Sequence, residues 1–327
     1  MNGESRPRCS RQTPSGQSAA CSTDATANPS HLPPRFEESD GLRSDFIRRM
    51  GLKVLQSRSS TGELADRRSN EIAVLSDAGT TVPRTLVRYW HDAHRIPADV
   101  QVCLETWEPL RDQGVAFRMF DDKSAASYIA ARYGREQVSA FARCQHPAMR
   151  SDYLRLCVLL AEGGFYVDAD DKFRGVAMPR VFDDGNLKVQ PLCYDISRQA
   201  MVDTTEPGLF DHQSSSRIFY VNNNPIAARA DDPVLRRALE RATNLLLDPA
   251  RVPEIQSTTG PGNFSAALAA HANECNIANQ PLRLDLLFGW ETIATPDWTL
   301  GYRLDDRNWR RWNDWSFENA DPTTGIE

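Results

Sequence analysis

Asp168 and Asp170 stand two residues apart behind the short apolar run Phe165-Tyr-Val167, a spacing that suggests chemistry. If extended backbone carries through them, both carboxylates point to one side. Like charges so placed repel unless a cation sits between or beside them. Oxygen ligands of this kind suit Mg2+ or Mn2+, which complete their shells with water and substrate phosphates. Upstream, Asp152 and Arg155 lie three apart and so share a face of any helix that carries them. A guanidinium in that position can hold a diphosphate through paired, charge-assisted hydrogen bonds. Each half is weak alone, since acidic triplets are common in loops and an Asp/Arg pair is ordinarily a surface ion pair. The two together, joined only through Gly163-Gly164, are far more specific.

The helix bearing Asp152 and Arg155 is predicted over residues 147–162, where Met149, Tyr153, Leu156 and Leu160 recur at helical spacing and Leu159 broadens the stripe. Gly163-Gly164 ends it, and residues 165–168 are expected to form a short strand. Before it, strands are predicted over 85–90 and 115–120 and helices over 100–110 and 136–142. Ser124 is expected to cap a further helix running through Ala131. After it, strands are predicted over 187–192 and 218–221, and helices over 233–247 and 264–272. This alternation implies an α/β sheet with helices on its faces, and strand ends in such sheets are where ligands bind.

The chain has 327 residues, of which 40% are apolar and 25% charged, with a formal net charge of -6. That balance argues against a nucleic-acid partner. Residues 1–80 are expected to be a low-complexity, disordered extension, and residues 81–320 the folded domain. Residues 1–40 are rich in Ser, Pro, Gln, Thr and Asn, which leaves too little apolar surface to offset ordering. A loose tail is the plain reading and a bacterial secretion or targeting segment the sharper one. A short amphipathic run from Phe46 to Leu55 is a candidate helix there. The seven cysteines are scattered without a C-x-x-C pair, which speaks against a zinc site or a disulfide framework and for reduced thiols in the cytosol. No stretch approaches the roughly 18 apolar residues of a membrane span, and the N-terminus lacks the apolar core of a secretory signal. A cytoplasmic location, or export by a route without that signal, is expected.

The segment resembles glycosyltransferase family 32, typified by yeast initiation-specific mannosyltransferases, and the related glucosylating domains of large clostridial toxins. The match rests on Met149-Arg-Ser-Asp-Tyr-Leu-Arg155, Gly163-Gly-Phe-Tyr166 and Asp168-Ala-Asp170. It extends to Val82-Pro-Arg-Thr-Leu-Val-Arg-Tyr-Trp90, which keeps the family's Pro and Trp but carries Val87 in place of its His. Glu105-Thr-Trp107, Phe120-Asp-Asp122, Asn222-Asn-Asn-Pro-Ile-Ala-Ala228 and Thr258-Thr-Gly-Pro261 match more loosely. The resemblance spans roughly residues 82–315 and is strongest over 147–171.

It implies a GT-A fold, a Rossmann-like sheet with added helices. It implies a nucleoside-diphosphate sugar as donor, UDP- or GDP-linked, Mn2+ or Mg2+ as cofactor, and a retaining transfer to a glycan, lipid or protein acceptor. By matching position, Asp168 contacts the donor's ribose or sugar and Asp170 ligates the metal, with Asp168 beside it. Asp152 and Arg155 hold the donor sugar, Arg155 also near the diphosphate, and the Trp90 ring packs on the base. Asn223 and Asn224 are candidate sugar or acceptor contacts, with loop capping as the plainer role. Gly260 and Pro261 shape a backbone turn near the sugar. In the tryptophan-rich run 309–316, Asn313, Trp315 and Ser316 are candidates to close over the donor. Tyr166 is expected to pack beneath the site and Asp171 to be a solvated charge.

Two other readings share the motif. Phosphatases of the haloacid dehalogenase type also place D-x-D after an apolar strand, but they require Thr or Val where this chain has Lys172, and their motif lies near the domain start. A non-catalytic nucleotide-sugar-binding or effector protein with the same fold would keep the site without the transfer.

Overall fold

The computed structural model describes residues 45–51, 79–176, 178, 181–206, 209 and 216–310. Asn313, Trp315 and Ser316 lie outside the described residues, as does most of the N-terminal extension. Within that extension, residues 45–51 form a helix, α1. Phe46 and Met50, four apart and so on one face, are both fully buried in the main core, and Phe46 meets the Phe219 ring edge-on at 5.8 Å.

The chain then runs β1 (Thr85–Tyr89), α2 (Ala98–Glu105), α3 (Pro109–Asp112), β2 (Ala116–Phe120), α4 (Asp122–Arg132), α5 (Arg135–Ala142), α6 (Pro147–Glu162) and β3 (Gly164–Tyr166). It continues through β4 (Asp171–Phe173), β5 (Leu187–Asp195), β6 (Ala200–Val202), β7 (Arg217–Ala228), α7 (Pro233–Leu247), α8 (Ile255–Thr258), α9 (Pro261–Ile277), β8 (Leu284–Leu286) and β9 (Ala294–Pro296). The single helix expected over 100–110 is two, because Pro109 is tolerated only in a first turn and opens α3. Asp121 rather than Ser124 caps α4. Its carboxylate accepts from the Ser124 N–H at 2.7 Å, and Ser124 Oγ accepts from the Asp121 N–H at 2.9 Å, a capping box.

The main sheet has the order β2-β1-β3-β7-β5-β6, with β8 added beside β5. β2, β1 and β3 run parallel to one another, and β7 lies antiparallel between β3 and β5. β4 and β9 form a separate antiparallel ribbon. This is a mixed parallel and antiparallel sheet within an α/β fold. Leu86 and Phe165 face one apolar cluster with Trp107 and Trp290, whereas Val87, Tyr89 and Tyr166 face the larger cluster that holds α6 and α7. Apolar residues on both faces are what a sheet covered on both sides requires.

α6 lies at the centre: every residue from Ser151 to Ala161 is buried. His146 caps its start by accepting from the Ala148 N–H at 3.0 Å, and Pro147 occupies its first position. It stops at Gly163, whose φ of +71° is a conformation that side chains disfavour. A Cβ there would lie 2.7 Å from the Ala230 nitrogen and 2.9 Å from the Ala228 oxygen, both backbone atoms. Gly164 then starts β3 at φ +122°, with the Thr85 oxygen 3.0 Å from where its Cβ would be. This tight reversal delivers the end of β3 back alongside α6.

Gly163→Ala is therefore expected to destabilise the protein by about 2 kcal/mol or more, through backbone strain and overlap together. Denaturant unfolding of the two proteins measures the difference, and equal midpoints would show that the reversal tolerates a side chain.

Candidate active site

The strand expected over 165–168 ends at Tyr166, and Asp168 to Asp170 form the turn between β3 and β4. The two carboxylates are therefore not ordered by strand alternation. Long-range contacts hold the turn instead. β3 pairs with β7 antiparallel, Tyr166 opposite Ile226, so two residues further on Asp168 meets Asn224. The Asn224 side chain accepts from the Asp168 N–H at 3.0 Å and donates to Asp171 Oδ2 at 3.0 Å. At the far end the Trp107 indole donates to the Asp171 carbonyl at 2.9 Å, and the Asp297 N–H donates to the Asp170 carbonyl at 3.0 Å.

Asp152, Arg155, Asp168 and Asn223 converge on the buried side of this turn. The Arg155 guanidinium lies 3.1 Å from Asp152 Oδ1 and 2.9 Å from Asp168 Oδ1. It also donates to the Asn223 carbonyl and to Ser151, and stacks over the Tyr166 ring at 4.1 Å. Each of its three nitrogens is thus committed within the protein, which makes Arg155 the group that holds Asp168. Asp152 further accepts from the Asn223 amide at 2.8 Å and from the Thr259 hydroxyl at 3.2 Å. Far from being a surface ion pair, Asp152 and Arg155 are 6% and 3% exposed. Tyr166 packs beneath as expected, fully buried, and its hydroxyl also donates to Asp168 Oδ1 at 2.9 Å.

Asp170 faces a different set of partners. Its Oδ2 accepts from the Tyr302 hydroxyl at 2.5 Å and from the Arg303 guanidinium. Burial pushes its carboxyl above the ordinary value, Asp168 adds to the rise, and Arg303 opposes it. Asp171, expected as a solvated charge, is buried, and its carboxyl is pushed well up by that burial and then by Asp170. Behind it, burial lowers the buried guanidinium of Arg88 to about 10, with Asp171 the largest opposing influence.

Asp168 Oδ2 and Asp170 Oδ1 accept no hydrogen bond from another described residue. Two hard oxygens, one from each carboxylate, fit Mg2+ or Mn2+. No group of three His, Cys, Asp or Glu side chains able to hold a metal occurs among the described residues. Further ligands would then come from water and phosphate, as these ions prefer.

The remaining expected residues flank this centre. Trp90 packs with Ala169, the residue between the two aspartates, and meets Tyr302 edge-on at 5.3 Å. It is 7% exposed and its buried indole nitrogen has no hydrogen-bond partner among the described residues. Gly260 leads into α9 beside Thr259, where a Cβ would come within 3.0 Å of the Ile255 oxygen. Asn223 reaches Asp152, whereas Asn224 clamps the turn. Sequence reasoning missed Thr259 as a partner of Asp152 and missed Tyr302 and Arg303 entirely. No local pattern marks the last two, which lie more than 130 residues from Asp170. The five described cysteines are free and buried, and no described helix is long and apolar enough to cross a membrane.

Burial pushes the Asp152 carboxyl up to about 6 from its ordinary 3.8, against the pull of Arg155. Between those values the folded state keeps a proton that the unfolded chain has lost. The contribution of this group to stability therefore falls as pH rises through that window, by roughly 3 kcal/mol in all. Asp152→Asn removes the titration. The variant's stability relative to wild type is expected to improve by that order from about pH 4 to about pH 7. Urea unfolding across that range measures it, and a gap independent of pH would mean that Asp152 does not titrate there.

Comparison with known proteins bears on the same segment. Residues 97–178 match the family described as "Glycosyltransferase sugar-binding region containing DXD motif". No curated protein matches. Among solved structures, the PaToxG glycosyltransferase is similar at 15% identity and a TM-score of 0.38, over 84% of this chain and 98% of its own. A transferase in a double cysteine-to-serine form is similar at 11% identity and a TM-score of 0.28, over 66% of this chain and 95% of its own. Likenesses at that level carry no functional weight, and the family match does. The stretch that holds Asp152, Arg155, Asp168 and Asp170 matches a DXD-containing sugar-binding region of glycosyltransferases, and that match supports a glycosyltransferase enzyme.

Proposed function

We propose that the enzyme moves a sugar from a UDP- or GDP-linked donor to an acceptor hydroxyl with retention, as in glycosyltransferase family 32, using Mn2+ or Mg2+ held by Asp170 and Asp168. The observation that carries this reading is the pair of carboxylates on one clamped turn, each tied to its own guanidinium through one oxygen and each keeping the other oxygen for a ligand.

A divalent cation bound there supplies Lewis-acid stabilisation of the charge that develops on the departing diphosphate. The protein's residues do the positioning. Arg155 and Tyr166 hold Asp168 toward the donor's ribose or sugar, and Asp152 with Asn223 and Thr259 keeps Arg155 in place. The Trp90 ring, which packs with Ala169, is assigned to the base in this reading. The sugar passes through an oxocarbenium-like state. The acceptor hydroxyl attacks on the leaving-group face, and its proton goes to the departing phosphate, so no protein base is invoked. A glycan, a lipid or a protein can each supply the hydroxyl.

A thermal-shift screen of UDP- and GDP-sugars with Mn2+ tests the donor. A ligand at about 100 times its Kd stabilises by about 2.7 kcal/mol. Wild type is expected to gain melting temperature with one donor class, and Asp168→Ala/Asp170→Ala to gain none. Sugar release from the same donor is expected in wild type and absent in the double variant. Equal release by both proteins from every donor would exclude this site.

A further inference from the structure

We infer that Arg303 is an exchangeable cation of the donor site: it neutralises Asp170 while no divalent ion is bound and transfers to the donor's diphosphate when one is. The inference rests on the donor-site reading above and adds a residue and a ligand exchange to it.

The two guanidinium groups that touch the acidic turn differ in how they are held. Arg155 projects from the interior of α6, its side chain 4% exposed, with acceptors on all three nitrogens. It has nowhere to go. Arg303 comes from a single 3-10 turn, Gly301–Leu304, with no side-chain cap and no buried residue. Besides Asp170 its guanidinium has one polar tie among the described residues, Nε to the Asp297 carbonyl at 2.9 Å, and it lies over the Trp298 ring at 4.4 Å, a side chain that is 61% exposed, and 5.4 Å from the Tyr302 ring. A guanidinium gliding on an aromatic face keeps its cation–π contact as it shifts.

The position is the second point. Arg303 lies 11% exposed against an Asp170 carboxylate that is 14% exposed, so the pair is largely shielded from water and strongly felt. A divalent cation on Asp170 repels a guanidinium on the same carboxylate. The same cation draws the donor's diphosphate to Asp170. Arg303 thereby loses its anion and gains another within the reach of one side chain, and Arg binds phosphate oxygens through two parallel hydrogen bonds. Such an exchange makes Arg303 oppose the metal when it binds alone and favour the nucleotide when metal is present.

Those opposite signs form the test. Calorimetry would titrate Mn2+ alone, and then UDP and GDP in saturating Mn2+, into wild type, Arg303→Gln and Arg303→Lys. Arg303→Gln is expected to bind Mn2+ alone several-fold more tightly, because a competitor is gone. It is expected to bind the preferred nucleoside diphosphate about tenfold or more weakly, the usual scale for losing a charged hydrogen bond. Arg303→Lys keeps the charge and is expected to fall between. Should the Gln variant not fold, the Lys variant still reports both affinities against wild type. If the two affinities fall together the role is structural and the inference is overturned, as it is if neither changes while wild type binds both ligands. If wild type binds neither Mn2+ nor UDP nor GDP, the donor-site reading falls and takes this inference with it.

Discussion

A guanidinium taken out of water needs its counter-charge and its acceptors in place, or the fold that buries it does not form. Arg155 imposes that condition here. Its partners come from three separate stretches: Ser151 and Asp152 one helical turn earlier, the Asn223 carbonyl on β7, and Asp168 just past β3. All must arrive together, so the packing of α6 against the sheet and the assembly of the site are one event. Asp152 is bound by the same logic, and Asn223 and Thr259 supply the donors that let a carboxylate remain there.

Once Arg155 has drawn Asp168 inward, the acidic turn needs holding at its other points. Asn224 secures its entry and Asp171 at once, Trp107 its exit, and the Asp297 N–H its middle. A turn fixed from three elements can keep neighbouring carboxylates at a set separation, which a ligand-binding site requires and an unsupported loop does not provide. The cost is electrostatic. Asp170 and Asp171 both sit above their ordinary carboxyl values, through burial first and then through repulsion from Asp168 at Asp170 and from Asp170 and Asp168 at Asp171. Carboxyls shifted in this way by burial and by neighbouring charge cluster at functional sites.

The partners of Asp170 tie this centre to the last described stretch of the chain. Tyr302 touches both Asp170 and Trp90, so these two residues share a neighbour. Trp90, Ala169 and Leu300 form one small apolar cluster that backs the turn.

The limits of α6 follow from local pattern, because an apolar stripe at helical spacing, a proline able to start a helix and a Gly-Gly able to end one are all written within 18 residues of chain. The pairing of Asp152 with Arg155 on one face, and their closeness to Asp168, are legible for the same reason. Burial is not legible there. Asp171 reads as a solvated charge and is enclosed, because what encloses it is Trp107, Arg88 and Asn224 from elsewhere in the chain. The aspartate pair reads as a strand end and lies in a turn, because where β3 stops depends on its partners β1 and β7. Tyr302 and Arg303 carry no local mark at all, since a charge partner is chosen by distance in space and not in sequence. Residue type and spacing settle which chemistry the chain can host; the long-range contacts that exclude water settle which charges face one another.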